Sequence, residues 1–283
     1  MKLLHKYRNF LVDCDGVLWN GNAVIASSVD AINRLMEQGK NVVFVTNNST
    51  KSRRAYCEKF SKLGFNNISE NLICSSSSYA AEVCLANKFN PVFVIGEKGL
   101  VDELELVGIR VTQDESSGYL GDEEFKNMQT DSNVKAVVVG WDRSFNYRKL
   151  CHASMLIQAG ASFVATNTDP YDTLEGRNMP GNGCMVSAIQ CSVDDIAGKN
   201  TIVTGKPNPD LLQFILGKHH FNPQESIMIG DRLDTDMQFA SGVIDSLLVF
   251  TGCTQPNQLN SLSENMKPTY ATTNLISALE MEI

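Results

Sequence analysis

Short runs of hydrophobic residues alternate along this chain with longer stretches whose apolar positions lie three or four residues apart. The runs 10–13 and 41–46 have the length of buried strands. Between them, the stretch 29–38 has apolar residues at helical spacing and is followed by Gly39, a common residue at a helix end. Alternating strands and helices are typical of an α/β fold with a parallel sheet. We therefore predict a doubly wound parallel sheet.

The same alternation starts afresh after Pro91, in the middle third of the chain. The strands and helices predicted there are 92–95, 97–107, 136–139, 147–159, 162–165 and a helix that begins near 184. A doubly wound sheet does not need so long a connection between two of its strands. We therefore predict an inserted α/β domain at 89–202, within a core formed by residues 1–88 and 203–283.

Polar side chains follow four of the hydrophobic runs at the point where each run ends. The four sets are Asp13 and Asp15, then Thr46, Asn47 and Asn48, then Lys206 after the run 201–205, and finally Asp231 and Asp236 after the run 226–230. Because ligands bind at the carboxyl ends of parallel strands, we expect these side chains to meet at one edge of the sheet. Neighbouring carboxylates repel each other, and a hard cation such as Mg²⁺ relieves that repulsion. Carboxylates for a metal, polar donors and one fixed cation are the groups that phosphoryl transfer needs.

The four sets belong to motifs that resemble those of a known superfamily. The motifs are Asp13-Cys-Asp15-Gly-Val, Thr46-Asn-Asn, Gly205-Lys206-Pro207 and Gly230-Asp231-Arg-Leu-Asp-Thr-Asp236. They resemble the four motifs of the haloacid dehalogenase (HAD) superfamily and span most of the chain. The longer form Asp-Cys-Asp-Gly-Val-Leu-Trp19 is similar to the branch of p-nitrophenyl phosphatases, phosphoglycolate phosphatases and pyridoxal phosphate phosphatases. The resemblance implies a HAD-like, Rossmann-type core with an inserted cap domain.

The resemblance also implies a reaction. The protein would be a Mg²⁺-dependent phosphatase that hydrolyses a small phosphomonoester through a phospho-aspartate on Asp13. Asp15 would act as general acid and then as general base. Substrate phosphate would be contacted by Thr46, Asn47, Asn48 and Lys206. The metal would be held by Asp13, the backbone carbonyl of Asp15 and Asp231, with Asp236 orienting water ligands of the metal.

The inserted domain is expected to select the leaving group, because in relatives it closes over the cleft. Trp141, at the end of a predicted strand, offers a flat surface to an aromatic or apolar group, and a loop with Tyr171 and Asp172 is also expected to face the substrate. Related pyridoxal phosphate phosphatases have a histidine near the position of Asp172, and phosphoglycolate phosphatases have a basic residue in this loop. Arg177 stands further along the chain. An acidic Asp172 disfavours a carboxylate-bearing leaving group, so a phosphoglycolate-like or pyridoxal-phosphate-like substrate stays open.

Composition narrows the class of partner. The chain has 283 residues, of which 43% are hydrophobic and 20% charged, as in ordinary globular proteins. A net charge of −8 argues against a nucleic acid or an acidic membrane as partner. The eight cysteines include no CxxC pair and are expected to be free thiols. We expect no signal peptide, no membrane span and a cytoplasmic protein, and the resemblance implies a homodimer.

Three other functions compete with hydrolysis. A phosphotransferase or phosphomutase of the same fold would pass the phosphoryl group from Asp13 to another acceptor. A non-catalytic signalling receiver also surrounds a phosphorylated aspartate with acidic residues, threonine and lysine, but it is a smaller domain without an equivalent of Asp15. A dinucleotide oxidoreductase is disfavoured, because carboxylates at the end of the first strand would repel a pyrophosphate.

Overall fold

A computed structural model describes residues 2–116, 119–174, 177–193, 200–263 and 266–282. The chain forms two compact units. The first consists of Met1–Thr46, Arg54–Cys74 and Lys206–Ile283, and the second of Asn47–Arg53 and Ser75–Gly205. The domain limits given above, 1–88 with 203–283 and 89–202, stay a prediction. They differ from the compact units chiefly in the placement of the segment that follows Cys74.

The described residues form fifteen strands, and successive strands are numbered along the chain. Their bounds are β1 (Asn9–Val12), β2 (Trp19–Asn20), β3 (Ala23–Val24), β4 (Asn41–Thr46), β5 (Ile73–Ser75), β6 (Val92–Ile95), β7 (Val111–Thr112), β8 (Ala136–Val139), β9 (Ser162–Ala165), β10 (Tyr171–Leu174), β11 (Arg177–Pro180), β12 (Ile202–Val203), β13 (Ser226–Gly230), β14 (Asp245–Val249) and β15 (Tyr270–Thr272).

The helices of the described residues are short. Their bounds are α1 (Leu3–Lys6), α2 (Ser28–Glu37), α3 (Arg53–Lys62), α4 (Ser76–Ala86), α5 (Lys98–Leu106), α6 (Asp122–Asn127), α7 (Tyr147–Gln158), α8 (Asn182–Ser192), α9 (Pro209–His219), α10 (Gln238–Ala240) and α11 (Leu275–Glu280), with a π-helical turn at Leu233–Met237. No helix in this part of the chain combines the length and the apolar character needed to cross a membrane.

The first unit contains a six-stranded sheet in the order β15-β14-β13-β1-β4-β5. β1 lies inside this sheet and pairs in parallel with both β13 and β4. All four of its side chains are buried, as expected for a hydrophobic run in a strand that is covered on both faces. The predicted α/β class with a doubly wound parallel sheet is confirmed. The carboxyl ends of β13, β1 and β4 lie side by side.

An aromatic cluster fills the core of the first unit beside the loop that follows β1. The ring of Trp19 lies 4.9 Å from that of Phe60 and 6.5 Å from that of Tyr56, measured between centroids. Phe44 of β4 contacts Phe60 at 4.5 Å. All four side chains are buried, and full burial of a large apolar side chain contributes roughly 1.5–3 kcal/mol to stability. The cluster therefore anchors the segment that links β1 to Trp19.

The second unit has a separate sheet of five strands in the order β12-β9-β8-β6-β7. The strands predicted at 92–95, 136–139 and 162–165 are confirmed with the same bounds as β6, β8 and β9, which pair in parallel. The core of this unit is distinct from that of the first and includes Phe93 and Phe163. The polar segment after β9 continues into an antiparallel hairpin of β10 and β11. The sequence pattern did not predict this hairpin, because its Asp and Asn residues are depleted in strands.

One of the four runs that were expected to end at a common sheet edge belongs to the other sheet. The run 201–205 contains only the two-residue strand β12, which pairs in parallel with β9 of the second unit. The prediction of four strand ends at one edge is therefore wrong for this run. A short apolar run predicts that its residues avoid solvent, but it does not predict which strand they will pair with. Lys206 still joins the first unit, from the loop after β12.

Candidate active site

Asp13 extends β1 at the carboxyl edge of the first sheet. Its backbone N–H donates to the carbonyl oxygen of Ile229 at 2.9 Å, so the pairing with β13 continues through this residue. Only 7% of Asp13 is exposed. Burial raises the pKa of its carboxyl group well above the usual range, although the charge of Lys206 acts in the opposite direction. The strand ladder thus fixes a carboxyl group inside the protein.

Lys206 is the cation around which the carboxylates are arranged. Its Nζ lies 2.5 Å from Oδ1 of Asp13 and 2.7 Å from Oδ1 of Asp236, and it donates to the carbonyl oxygen of Val45 at 2.9 Å. Three such partners match the three donors of an ammonium group. Burial by itself lowers the pKa of Lys206, but the charges of Asp13 and Asp236 outweigh burial and raise it above the usual value. Lys206 is therefore a permanent positive charge.

Asp236 lies on the π-helical turn that follows β13. Its Oδ2 accepts hydrogen bonds from the backbone N–H groups of Asp231 at 3.2 Å and Arg232 at 3.1 Å. Since Oδ1 contacts Lys206, both carboxylate oxygens have protein partners. Gly230 makes this arrangement possible, because a Cβ atom at that position would collide with the carboxylate of Asp236. Single π-helical turns are frequent at functional sites.

Asp231 has fewer partners than Asp236. Its Oδ2 accepts a hydrogen bond from the backbone N–H of Cys253 at 2.6 Å. Its Oδ1 is also buried, yet has no hydrogen-bond partner among the described residues. Burial, and after it the charge of Asp236, raise the pKa of Asp231 to about 7. A buried carboxylate oxygen without a partner is costly, and it is available as a ligand for a cation.

Asp13, Asp231 and Asp236 together form a buried carboxylate cluster. One oxygen from each lies within 4.8 Å of the others. When all three are ionised, Lys206 compensates one of the three negative charges, and two remain. A hard divalent cation with oxygen ligands would balance them. The charge of the cluster and the unpartnered oxygen of Asp231 therefore fit a Mg²⁺ ion.

Two glycines leave room for the carboxylate of Asp231. Gly16 has a φ of +84°, and a Cβ atom there would lie 2.5 Å from Oδ2 of Asp231. A Cβ atom at Gly252 would collide with the same oxygen. The backbone N–H of the next residue, Cys253, donates to that oxygen at 2.6 Å. The loop 251–253 thus has to pass so close to Asp231 that no side chain fits at Gly252.

Asp15 lies outside the carboxylate cluster and has different neighbours. Its Oδ1 accepts a hydrogen bond from Nε1 of Trp19 at 2.8 Å. Nζ of Lys59 lies 4.0 Å from the same oxygen and 4.0 Å from the centre of the Trp19 ring. The sequence pattern did not single out Lys59. It comes from α3, which the spacing of motifs does not connect with Asp15.

Thr46 ends β4 and is buried. Its side chain is hydrogen-bonded to that of Tyr56, a second neighbour that the sequence pattern did not reveal. Asn47 and Asn48, which were predicted to bind substrate phosphate together with Thr46, belong to the second unit. There Nδ2 of Asn47 donates to both carboxylate oxygens of Asp169 at 3.1 Å. Oδ1 of Asn48 accepts from the backbone N–H of Thr50 at 3.0 Å and so closes a turn.

The other predicted residues of the inserted domain lie on β-structure of the second unit or next to it. Trp141 follows β8, packs against the core of that unit, and donates its backbone N–H to Oγ of Ser49 at 3.0 Å. Tyr171 is 38% exposed on β10. Asp172 pairs with Met179 across the hairpin, two positions from the pair that contains Arg177. Because alternate residues of a strand share a face, Asp172 and Arg177 are diagonal neighbours on one face of the hairpin.

Comparisons with known proteins identify the family of this chain. A family model described as haloacid dehalogenase-like hydrolase matches residues 10–110, and one described as HAD-hydrolase-like matches residues 203–278. Phosphoglycolate phosphatase 2 of Arabidopsis thaliana is 37% identical to this chain, over 96% of it and 92% of the relative. The 4-nitrophenylphosphatase of Schizosaccharomyces pombe is 33% identical to this chain, over 99% of it and 95% of the relative.

A solved structure is similar over the same range. Glycerol phosphate phosphatase from Mycobacterium tuberculosis, in complex with magnesium, has a TM-score of 0.80 and 27% identity, and the match covers 98% of this chain and 78% of that one. The chain belongs to the haloacid dehalogenase-like hydrolase family. Within that family it is a phosphatase, similar to the 4-nitrophenylphosphatases and phosphoglycolate phosphatases. The predicted superfamily and branch are confirmed.

We expect Gly252→Ala to weaken Mg²⁺ binding by on the order of 10–100-fold, because the new Cβ atom displaces the carboxylate of Asp231. Isothermal titration of the folded protein with MgCl₂ measures the effect. Gly217→Ala is the matched control, since a Cβ atom on that helical residue meets no other atom within 4 Å. Equal Mg²⁺ affinity in the two variants would contradict the assignment of Asp231 to the metal site.

The stability of the metal-free protein should depend on pH through Asp231. Asp231 has a pKa of about 7 in the folded state, against about 3.9 for an unfolded aspartate. The folded state thus binds this proton more tightly, and the contribution of Asp231 to the free energy of unfolding falls as the pH rises from about 4 to 7. An asparagine does not ionise, so Asp231→Asn avoids this fall in the free energy of unfolding. Relative to the wild type, the variant should therefore be stabilised more at pH 8 than at pH 5.

Urea unfolding in EDTA at both pH values measures this difference. Asp234→Asn is the control, because Asp234 forms an exposed ion pair with Arg232 outside the carboxylate cluster. If Asp231→Asn and the wild type lose stability in parallel between the two pH values, Asp231 is already ionised at the lower one and the expectation is wrong.

Proposed function

We propose that this protein is a Mg²⁺-dependent phosphomonoester hydrolase that works through a phospho-aspartate on Asp13. The observation that carries the proposal is the buried cluster of three carboxylates beside one lysine, in which Oδ1 of Asp231 has no partner. With its three carboxylates ionised, such a site keeps a net negative charge until a divalent cation binds. The four motifs and the phosphatase relatives support the same reaction class.

Asp13 is the proposed nucleophile. One of its oxygens forms a bond to phosphorus while the bond between phosphorus and the ester oxygen breaks. Water then attacks phosphorus, the bond to Asp13 breaks, and inorganic phosphate is released. Burial raises the pKa of Asp13 in the metal-free site, and a bound cation would favour its ionised, nucleophilic form.

Asp15 is the proposed general acid and base. It gives a proton to the departing ester oxygen in the first step and takes one from the attacking water in the second. Help of this kind typically contributes about 10²–10⁴-fold to the rate. Asp15 stands two residues beyond the nucleophile, and its side chain is 35% exposed, so it remains in contact with solvent from which protons are exchanged.

The residues proposed to hold Mg²⁺ are Asp13, Asp231 and the backbone carbonyl of Asp15, with Asp236 orienting water ligands. The number of partners supports the division between the last two carboxylates: both oxygens of Asp236 accept from protein donors, whereas Oδ1 of Asp231 does not. When bound, Mg²⁺ would supply charge stabilisation to the phosphate oxygens. Thr46 is proposed to donate to those oxygens, and Lys206 to add a fixed positive charge.

We expect Asp13→Asn to abolish release of p-nitrophenol from p-nitrophenyl phosphate, because an amide oxygen cannot form the phospho-enzyme. EDTA should abolish the activity of the wild type, and MgCl₂ should restore it. Asp234→Asn should keep wild-type activity, since Asp234 is paired with Arg232 rather than with the cluster. Full activity of folded Asp13→Asn, or a folded wild type without activity on any phosphomonoester, would overturn the proposal.

For the substrate we propose a small phosphomonoester, with phosphoglycolate as the first candidate. The 37% sequence identity with a phosphoglycolate phosphatase supports this choice. So does the hairpin, which brings Arg177 onto the same face as Asp172. A guanidinium group suits the carboxylate of a glycolate leaving group, whereas Asp172 would repel it. Arg177 is five positions from Asp172 in the sequence, but strand pairing places the two residues on one face of the hairpin. We therefore propose Arg177 as the basic residue that contacts the leaving group.

We expect Arg177→Ala to lower the preference for phosphoglycolate over p-nitrophenyl phosphate by about 10-fold, the loss of one charge-assisted hydrogen bond. Asp172→Ala should raise the same preference. The measurement is the ratio of kcat/KM values for the two substrates. Asn178→Ala is the matched control on the opposite face of the hairpin. Equal ratios in all variants would remove the hairpin from substrate selection.

A further inference from the structure

The contact between Trp19 and Asp15 uses the one polar atom of a buried side chain. Trp19 is fully buried among Tyr56, Phe60 and Phe65. Its Nε1 donates to Oδ1 of Asp15 at 2.8 Å. An indole N–H can only donate, and leaving a buried donor unpaired costs about 1–3 kcal/mol. The aromatic core therefore favours a single orientation of the Asp15 side chain.

Lys59 acts on the same oxygen from a second direction. Its side chain is only 13% exposed, and its Nζ lies 4.0 Å from Oδ1 of Asp15. The ammonium group also lies 4.0 Å from the centre of the Trp19 ring, within the range of a cation–π interaction. Trp19, Lys59 and Oδ1 of Asp15 are thus mutual neighbours. The indole N–H of Trp19 and the ammonium group of Lys59 both attract Oδ1 of Asp15.

We infer that Trp19 and Lys59 are positioning residues that hold Oδ1 of Asp15 and leave Oδ2 to exchange a proton with the leaving group. This inference rests on the proposed role of Asp15. Without Trp19 Nε1, the carboxyl group turns about its χ angles and meets the ester oxygen in the required geometry less often. Proton transfer depends on that geometry, since donor and acceptor must come within hydrogen-bond distance.

Positioning of Asp15 by Trp19 and Lys59 has a kinetic consequence that a purely structural role does not have. A leaving group that is stable as an anion, such as p-nitrophenolate, needs little protonation as it departs. A more basic phenolate depends on the general acid, so loss of positioning slows poor leaving groups selectively. A general loss of packing would instead slow all substrates by the same factor.

The experiment is a series of substituted phenyl phosphates of similar shape, with kcat/KM plotted against the pKa of the leaving phenol. This parameter reports the step that forms the phospho-enzyme. Trp19→Phe keeps an aromatic ring but lacks the N–H donor. We expect it to lower kcat/KM for phenyl phosphate by on the order of 10-fold while that for p-nitrophenyl phosphate changes by less than about twofold. Lys59→Met, which keeps the apolar stem, should steepen the plot in the same direction.

Two further variants complete the test. Asp15→Asn is the reference and should give the steepest plot. Phe60→Leu is the matched packing control, because Phe60 contacts the Trp19 ring but has no polar group to offer Asp15. Its plot should run parallel to that of the wild type.

The outcomes separate this inference from the proposed function. Parallel plots for Trp19→Phe, Lys59→Met and the wild type overturn the inference and leave the phosphatase proposal intact. If Trp19→Phe does not fold, the slope of Lys59→Met decides. If Asp15→Asn itself gives a plot parallel to the wild type, the acid role of Asp15 is wrong, and the inference falls with it.

Discussion

A single buried ammonium group, Nζ of Lys206, holds two carboxylates and one strand-end carbonyl in place. Asp13 leaves β1, Val45 belongs to β4, and Asp236 lies on the turn after β13, so this one group ties three neighbouring strands together at their carboxyl ends. Removing one partner from a buried ion pair is strongly destabilising, by about 3–5 kcal/mol in other proteins. The geometry of the site depends on this contact.

Lys206 neutralises the carboxylates of the site only in part. Lys206 neutralises part of the charge of Asp13 and Asp236, but Asp231 receives only a backbone N–H at one oxygen. Burial consequently raises the pKa of both Asp13 and Asp231. Burial thus disfavours the ionised carboxylates that the proposed nucleophilic attack and metal binding would need. A bound divalent cation would offset that cost.

The aromatic core connects packing with chemistry at Asp15. Trp19 contributes to the core through its rings and reaches Asp15 through its N–H. The three residues between them include Gly16, whose φ of +84° turns the chain back toward Trp19. Nε1 of Trp19 contacts Asp15 from the aromatic core, whereas Lys206 contacts Asp13 and Asp236. The two carboxyl groups of the first motif therefore have separate supports although they lie two residues apart.

Much of the fold was predictable, because strands such as 92–95, 136–139 and 162–165 are continuous apolar runs with clear ends. The hairpin β10–β11 was not, since its polar residues resemble a loop and its strands are defined by pairing with each other. The run 201–205 shows the same limit. Its apolar residues predict burial, but hydrogen bonding to β9 rather than to the first sheet is decided by the tertiary structure.

For the site, the sequence by itself determined the chemical groups: the carboxylates Asp13, Asp15, Asp231 and Asp236, the hydroxyl of Thr46 and the ammonium of Lys206. These groups stand in motifs, and motifs are local in the chain. Only the tertiary structure decided their partners, such as Lys59 beside Asp15, Tyr56 beside Thr46, and the backbone of Cys253 at Asp231. Those contacts join residues that are distant in sequence, and burial and hydrogen bonding in the folded chain select them.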